Sequence, residues 1–299
     1  MSDPREAWLA RRRTGVGGSD AAIACGLHPY VSARELYYDK TGEVIIERED
    51  TERMQMGRAL EDAIAGVFAE RYDVKLRRHA MRRHPRYPWM IGNPDRLIEG
   101  ARIGLEIKNV DALAYRFGQW GEPDTDEIPE PYLLQCLHYA MIFDFREWHL
   151  AALVGGNTLK RYIVRRNDDE LEALLIDGEQ NFWQCVEKRE PPEIDCNRPG
   201  ALALIKRVYG IDGGTIVLPD SIEHWHHVYV ESDALAKDYE KEAERAKAHI
   251  LRTMQGAAVG RLPQSAGAYR QKIVKKPGAV IEPYSYIDFR YLKKGVGDE

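Results

Sequence analysis

The stretch Asn93-Pro94-Asp95-Arg96-Leu97-Ile98-Glu99-Gly100-Ala101-Arg102-Ile103-Gly104-Leu105-Glu106-Ile107-Lys108 reads as two strands joined by a tight turn. Gly100-Ala101 suits a two-residue type II′ turn, whose first central position favours glycine. That turn sets Leu97 opposite Gly104 and Asp95 opposite Glu106. Directly opposed side chains have Cβ atoms about 4.5–5.5 Å apart. Two carboxylates so placed repel unless a cation joins them. Mg²⁺ fits this need, because one or two carboxylates suffice when waters and substrate phosphate complete its shell. Lys108, two residues beyond Glu106, projects from the same sheet face. An ammonium there can orient a metal-bound water and balance charge on a phosphoryl group. Leu105 and Ile107 alternate to the other face, where they can anchor the strand. Acids and a lysine are also common on exposed hairpins, so the surrounding sequence has to decide.

Upstream, the segment Arg53 to Tyr72 carries Leu60, Ile64, Val67 and Phe68 at helical spacing. Glu61 falls on the same stripe, three residues before Ile64 and seven before Phe68, where a carboxylate is costly without a cation or hydrogen bonds. Residues 73–81, 89–98 and 102–110 read as three strands. After a proline-rich loop, residues 132–143 form a helix on which Gln135 and Tyr139, at i and i+4, share a face. They can serve phosphate or the lysine, or equally the fold. Two strands follow, Glu147–Gly156 and Thr158–Arg165, turning at Gly155-Gly156-Asn157, and then a long amphipathic helix over 168–188. Near the start, residues 19–40 read as a helix pair opened by Gly15-Val16-Gly17-Gly18-Ser19-Asp20, with Ser19 or Asp20 as the cap. This order of elements implies an α/β (α+β) fold, a central mixed sheet flanked by helices. Beyond Pro191-Pro192 the character changes: residues 219–255 read as an exposed helix or antiparallel coil, and 268–292 as a Tyr-rich, strand-like tail. The division expected is 1–210 for the main domain and 211–299 for a C-terminal appendage without an assigned role.

Composition is consistent with a soluble domain: of 299 residues, 44% are hydrophobic and 30% charged. There is no apolar run long enough for a membrane span, and the N-terminal stretch lacks a signal-peptide core, so cytoplasmic residence is the expectation. Cys25, Cys136, Cys185 and Cys196 show no paired spacing, which argues for apolar thiols rather than disulfides or a zinc site. The net charge of −5 does not exclude a polyanionic partner, because local clustering outweighs the sum. Arg11, Arg12 and Arg13 form one basic cluster. Arg71, Lys75, Arg77, Arg78, Arg82, Arg83 and Arg86 form another.

The ordered set Gly57-Arg58-Ala59-Leu60-Glu61, Pro94-Asp95, Glu106-Ile107-Lys108 and Gln135-Cys136-Leu137-His138-Tyr139 resembles the PD-(D/E)XK nuclease superfamily. More narrowly, it is similar to the YqaJ-type viral recombinases and the lambda exonuclease group. Arg12 to Asp20, Cys25 to Tyr30 and Lys40-Thr41-Gly42 resemble the N-terminal signature of that group. The likeness spans roughly residues 5–190. It implies a restriction-endonuclease-like core and a Mg²⁺-dependent exonuclease (Mn²⁺ able to substitute) acting 5′→3′ on double-stranded DNA ends, and supplying single strands to an annealing protein. It implies metal binding by Asp95 and Glu106, with Glu61 and the Ile107 carbonyl as further ligands, and Lys108 as the catalytic lysine. It implies capture of the 5′-phosphate by an arginine and a serine: Arg13 with Ser19, or Arg12, since the glycine-rich stretch is short. Backbone N–H groups of the Gly17-Gly18-Ser19 turn suit an anion independently. Group members form ring-shaped trimers around DNA; the residues themselves do not show this. Arg77, Arg78, Arg82 and Arg83 are candidates for backbone-phosphate contacts. Two rival readings remain. One is another enzyme of the superfamily, a structure-specific or restriction-type endonuclease or an iron–sulfur nuclease, the last disfavoured because Cys136 lies inside the Gln135–Tyr139 motif. The other is a non-catalytic DNA-end binding or annealing protein.

Overall fold

The structure, a computed structural model, describes residues 10–44, 50–210, 213–264 and 267–273. The chain divides into two units, Met1–Tyr209 and Gly210–Glu299.

In the first unit, α1 (Gly18–Ala24) and α2 (Ala33–Thr41) precede the long α3 (Glu52–Tyr72). Ser32 caps α2 reciprocally with Glu35, and Thr51 accepts from Met54 N–H to start α3. α1 begins differently from the expectation. Its cap is Gly17, and Asp20, in the third helical position, reaches back to the Gly17 N–H at 3.0 Å.

Strands β1 (Leu76–Arg77), β4 (Arg96–Ile98), β5 (Ile103–Val110), β6 (Glu147–Val154) and β7 (Thr158–Arg165) form a five-stranded sheet in the order β1-β4-β5-β6-β7. β5 and β6 pair in parallel and the other neighbours antiparallel, so the sheet is mixed as expected. The crossover from β5 to β6 carries α4 (Ala112–Phe117) and α5 (Glu130–Phe143). α6 (Asp169–Lys188) and α7 (Ala201–Val208) complete the unit.

Alternation along β5 sends its side chains to two helices. Leu105 and Ile107 face α3, packing with Ile64, Ala65 and Phe68. On the opposite face, Leu97, Leu150 and Ala152 pack against α5 through Leu134, Leu137 and Ile142. Burial of this kind contributes about 1.5–3 kcal/mol per large apolar side chain. β5 is held on both faces and on both edges.

Several sequence expectations need correction. The hairpin register is as expected, with Arg96 opposite Leu105 and Leu97 opposite Gly104, but the tight turn sits one residue earlier. Its hydrogen bond runs from Ala101 N–H to the Ile98 carbonyl, which makes Glu99 and Gly100 the central residues. Gly100 has φ +74°, the left-handed conformation that glycine adopts without a Cβ penalty. The segment 73–81 yields only β1. The 89–98 strand is two: β3 (Ile91–Gly92), which pairs with β2 (Arg82–Arg83) in a separate ribbon, and β4. The break falls at Asn93-Pro94, where proline removes a ladder donor. Val67 is exposed, because the sheet-facing stripe of α3 runs through Ile64, Ala65 and Phe68 instead. α4 and α7 are helices that periodicity did not reveal; both are short. Of the cysteines, all free, Cys136 is buried, Cys25 and Cys185 are half-buried, and Cys196 is exposed.

In the second unit, α8 (Glu223–Met254) is one continuous exposed helix, followed by a hairpin of β8 (Val259–Arg261) and β9 (Ala268–Arg270). Ion pairs such as Lys237–Asp233 at i,i+4 support it. Of the strand-like tail, residues 274–292 lie outside the described residues.

Candidate active site

Extension of the hairpin register by one step brings Asp95 opposite Glu106 on the α5 side of the sheet. Asp95 Oδ2 accepts from the Ile107 N–H at 2.8 Å, which clamps the carboxylate against β5. Glu106 is buried, with 3% of its surface exposed, and its Oε1 accepts from Lys108 Nζ at 2.5 Å and from Gln135 Nε2 at 2.6 Å. Its other oxygen, Oε2, is buried without a hydrogen-bond partner. Such an orphaned carboxylate oxygen costs free energy unless something cationic meets it.

Electrostatics point the same way. Burial, and after it the neighbouring Glu106, push the Asp95 carboxyl up to about 8. Burial opposes charge on Lys108, but Glu106 overrides it and holds the ammonium above its usual range. The site carries two acids and one cation, so a further positive charge would relieve it.

Gln135 and Tyr139 do share a face of α5. Gln135 braces Glu106, and the Tyr139 hydroxyl donates to the Asn93 carbonyl at 3.4 Å, two residues before Asp95. Burial raises the Tyr139 phenol well above its ordinary value, so it remains a neutral donor. Gly18 makes this fit possible: a Cβ there would lie 2.5 Å from the Tyr139 ring.

Glu61 stands near enough to Asp95 to add, last among the causes, to the rise of its carboxyl, but its bonded partner is Arg96. α3 covers the opposite sheet face, and Arg96, on that face, takes the Glu61 carboxylate at 2.7 Å. Arg96 also bonds Asp62 and the Asp95 carbonyl. Sequence reading missed Arg96. The signal was its position beside Asp95, since alternation puts it on the α3 face.

Beside the acids lies a cleft of about 230 Å³ lined by Arg11, Arg12, Gly17, Gly18, Ser19, Asn93 and Tyr139, among others. Arg12 donates to Ser19 Oγ at 3.0 Å and to Asp20 Oδ1 at 2.7 Å. Asp20 is buried together with Lys40, whose Nζ lies 2.6 Å from Oδ2. Although burial opposes it, Lys40 and then Arg12 hold the Asp20 carboxyl far below its usual range. Of the two arginines offered by the sequence, the cleft takes Arg12. Arg13 does not line it, and its guanidinium points toward Gly42. Lys40, buried and essential to this geometry, was signalled only by the Lys40-Thr41-Gly42 stretch.

The basic strand residues are dispersed. Arg78 pairs with Asp62, Arg82 lies over the Phe143 ring at 5.3 Å, and Arg83 bonds Thr14 and the Pro88 carbonyl. Arg77 is exposed. Among the described residues no group of three His, Cys, Asp or Glu side chains converges to hold a metal. The donor set that fits an ion is therefore the Asp95–Glu106 pair, with the orphaned Glu106 oxygen. Two carboxylates with open positions suit Mg²⁺, which keeps waters and takes phosphate oxygens.

The site thus stands on a mixed sheet whose hairpin presents Asp95, Glu106 and Lys108 to a helix carrying Gln135 and Tyr139. Residues 7–146 match the YqaJ-like viral recombinase domain. The chain is 38% identical over 182 residues to the protein YqaJ of Bacillus subtilis (strain 168), a match covering 60% of this chain and 55% of that relative. The matched stretch thus spans little more than half the length of that relative. Among solved structures, the alkaline exonuclease of Laribacter hongkongensis is similar at 17% identity, covering 62% of this chain and 94% of that one, with a TM-score of 0.49. A phage-related exonuclease from Haemophilus somnus 129PT is similar at 15% identity, covering 58% and 96%, with a TM-score of 0.44. No described helix is long and apolar enough to cross a membrane.

Proposed function

We propose that this protein is a Mg²⁺-dependent deoxyribonuclease that degrades linear double-stranded DNA from its ends in the 5′→3′ direction. The observation that carries this reading is the buried pair Asp95 and Glu106, with Lys108 and Gln135 on one Glu106 oxygen and the other oxygen unpartnered.

When bound, the ion supplies Lewis acidity at the scissile phosphate and a water of lowered pKa. The chain's own residues do the rest. Asp95, clamped by the Ile107 N–H, and Glu106, braced by Gln135, present fixed oxygens at no cost of reorganisation. The Ile107 carbonyl is a further oxygen within the same strand. Lys108 places a permanent ammonium beside Glu106, where it can orient the attacking water and offset charge on the phosphorane. Tyr139 holds the Asn93 carbonyl, and with it the approach to Asp95. Arg12 and Ser19 in the adjoining cleft offer a guanidinium and a hydroxyl to a terminal phosphate. That cleft favours end-directed cleavage over internal cleavage. Polarity, an annealing-protein partner and a trimeric ring are supported by the likeness to the recombinase domain. Glu61, bonded by Arg96 and within electrostatic reach of Asp95, is the candidate for a further ligand to the ion or its water.

The test is digestion of an end-labelled linear duplex beside a covalently closed circle. We expect Mg²⁺-dependent loss of the linear form, removed by EDTA, with the circle intact. Cutting of the circle would establish an endonuclease instead. Binding of both forms without cleavage would establish a DNA-end binding protein.

A further inference from the structure

His138 on α5 and Glu179 on α6 are both fully buried, and neither takes part in the chemistry above. His138 Nδ1 lies 2.7 Å from Glu179 Oε1, and His138 Nε2 donates to the Ile91 carbonyl at 3.0 Å. A carbonyl oxygen only accepts, so Nε2 carries a hydrogen wherever the proton between Nδ1 and Glu179 lies. Glu179 thus orients the ring, and the ring holds Ile91. The pair is costly to bury, since Glu179 Oε2 has no hydrogen-bond partner. Apolar side chains in place of such a pair are often neutral or stabilising. Packing alone therefore gives no reason for it.

The segment it holds joins the two halves of the site. The Ile91 N–H donates to the Val16 carbonyl at 2.9 Å, and Val16 runs directly into Gly17, Gly18 and Ser19 of the cleft. Ile91 and Asn93 line that cleft themselves. Asp95 follows two residues after Asn93, a step of at most about 7 Å. α5 meets the same segment at two further points. Tyr139 bonds the Asn93 carbonyl, and a Cβ at Gly92 would come within 3.1 Å of Ile142. The far end is clamped to β5 through Asp95 and the Ile107 N–H. Ile91 is held in both directions, to Val16 through its N–H and to α5 through its carbonyl.

We infer that His138, oriented by Glu179, is a positioning residue that sets the cleft at Arg12 and Ser19 in register with the acid pair Asp95 and Glu106. A DNA end gripped in the cleft then meets the acids at one fixed phosphate. The effect on cleavage rests on the proposed function, whereas the anchoring of residues 91–95 does not.

The test compares His138→Gln and His138→Asn in the full chain, each combined with Glu179→Gln so that no lone charge is buried. A glutamine amide nitrogen reaches as far along the side chain as Nε2 and can donate to the Ile91 carbonyl, whereas asparagine stops short of it. Without DNA or metal, amide hydrogen exchange over residues 90–95 should be faster in the asparagine variant than in the glutamine variant, and matched elsewhere. In Mg²⁺, the asparagine variant should lose about a hundredfold in kcat on a 5′-phosphorylated duplex with KM little changed, the scale of a misplacement of about 1 Å. The glutamine variant should recover most of that loss. Equal exchange over 90–95 in the two variants would overturn the anchor. Equal kcat would overturn the positioning role, as would joint changes in kcat and KM that track stability in urea. Wild type provides a check that does not depend on how the variants fold. Its imidazole ¹H–¹⁵N spectrum should show a slowly exchanging Nε2–H from His138, and an Nε2 without hydrogen would overturn the bond. No cleavage by wild type, with loosening confined to 90–95 in the asparagine variant, defeats the nuclease and leaves the anchor. Cleavage by wild type without such loosening does the reverse.

Discussion

Lys108 differs from most surface lysines in having a buried carboxylate, Glu106, at 2.5 Å while keeping about a fifth of its side chain exposed, at 22%. Removing it should spare the fold, since β5 is anchored by Leu105 and Ile107 on the other face. Lys108→Ala is expected to retain DNA binding and lose at least about a hundredfold in cleavage rate, the usual scale for one preorganised charge. Wild-type rates in that variant would remove the lysine from the chemistry. Asp20 presents the opposite case, a residue whose charge serves structure. Its carboxyl titrates far below the unfolded value of about 3.9, so the stability it contributes is complete above that value and is lost as pH falls through the folded one. Asp20→Asn leaves Lys40 buried without its counter-ion, which should cost about 3–5 kcal/mol at neutral pH. The variant's acid limb should also be flatter below about pH 4. Urea unfolding at pH 7 and pH 3 checks both; equal losses at the two pH values would contradict the assignment.

α1 and α5 meet at the element scale through a single absent side chain. Gly18→Val would drive a side chain into the Tyr139 ring, where a Cβ alone already falls within 2.5 Å. Since Tyr139 lines the cleft with Arg12 and Ser19, the consequence should be local. We expect weakened preference for 5′-phosphorylated over 5′-hydroxyl ends, together with about 1–3 kcal/mol of destabilisation from overpacking. Arg12→Ala should weaken the same preference without the stability loss of Asp20→Asn. Arg13→Ala should leave the preference intact. Competition between labelled 5′-phosphate and 5′-hydroxyl duplexes distinguishes them, and a larger effect from Arg13 than from Arg12 would reverse the choice made by the cleft. The hairpin turn is another such element. At Gly100, φ +74° means that Gly100→Ala should cost about 1 kcal/mol without moving Asp95, because the register is held by β5.

For the whole molecule, every buried apolar residue among the described ones falls between Val16 and Leu204. The first unit, Met1–Tyr209, thus contains the described core, and a core of this size supports independent folding. A chain ending at Tyr209 should unfold cooperatively and keep Mg²⁺-dependent hydrolysis of short linear duplexes. α8 exposes Trp225, Leu235 and Tyr239 within the second unit. Loss of all secondary structure in the shortened chain, measured by circular dichroism, would show that the core is incomplete without the remaining residues.

Local sequence alone determined the hairpin and which side chains share its face. Alternation of period two and a glycine turn put Asp95 across from Glu106 and Lys108 beside it, and shifting the turn by one residue left that register intact. Helix periodicity likewise located α3, α5 and α6 to within a residue or two. Contacts between distant segments were decided only by the tertiary structure. Glu61 lies on the apolar stripe of α3 as read, but which side of the sheet α3 covers is a packing outcome, and it delivered Glu61 to Arg96. The choice of Arg12 over its neighbour Arg13 depended on Asp20 being buried with Lys40, twenty residues away. The seating of α4 required Tyr115 to find the Tyr162 hydroxyl on β7. Pairing within a hairpin is encoded by adjacent residues, whereas the partner of a buried charge is set by whichever elements the core brings together.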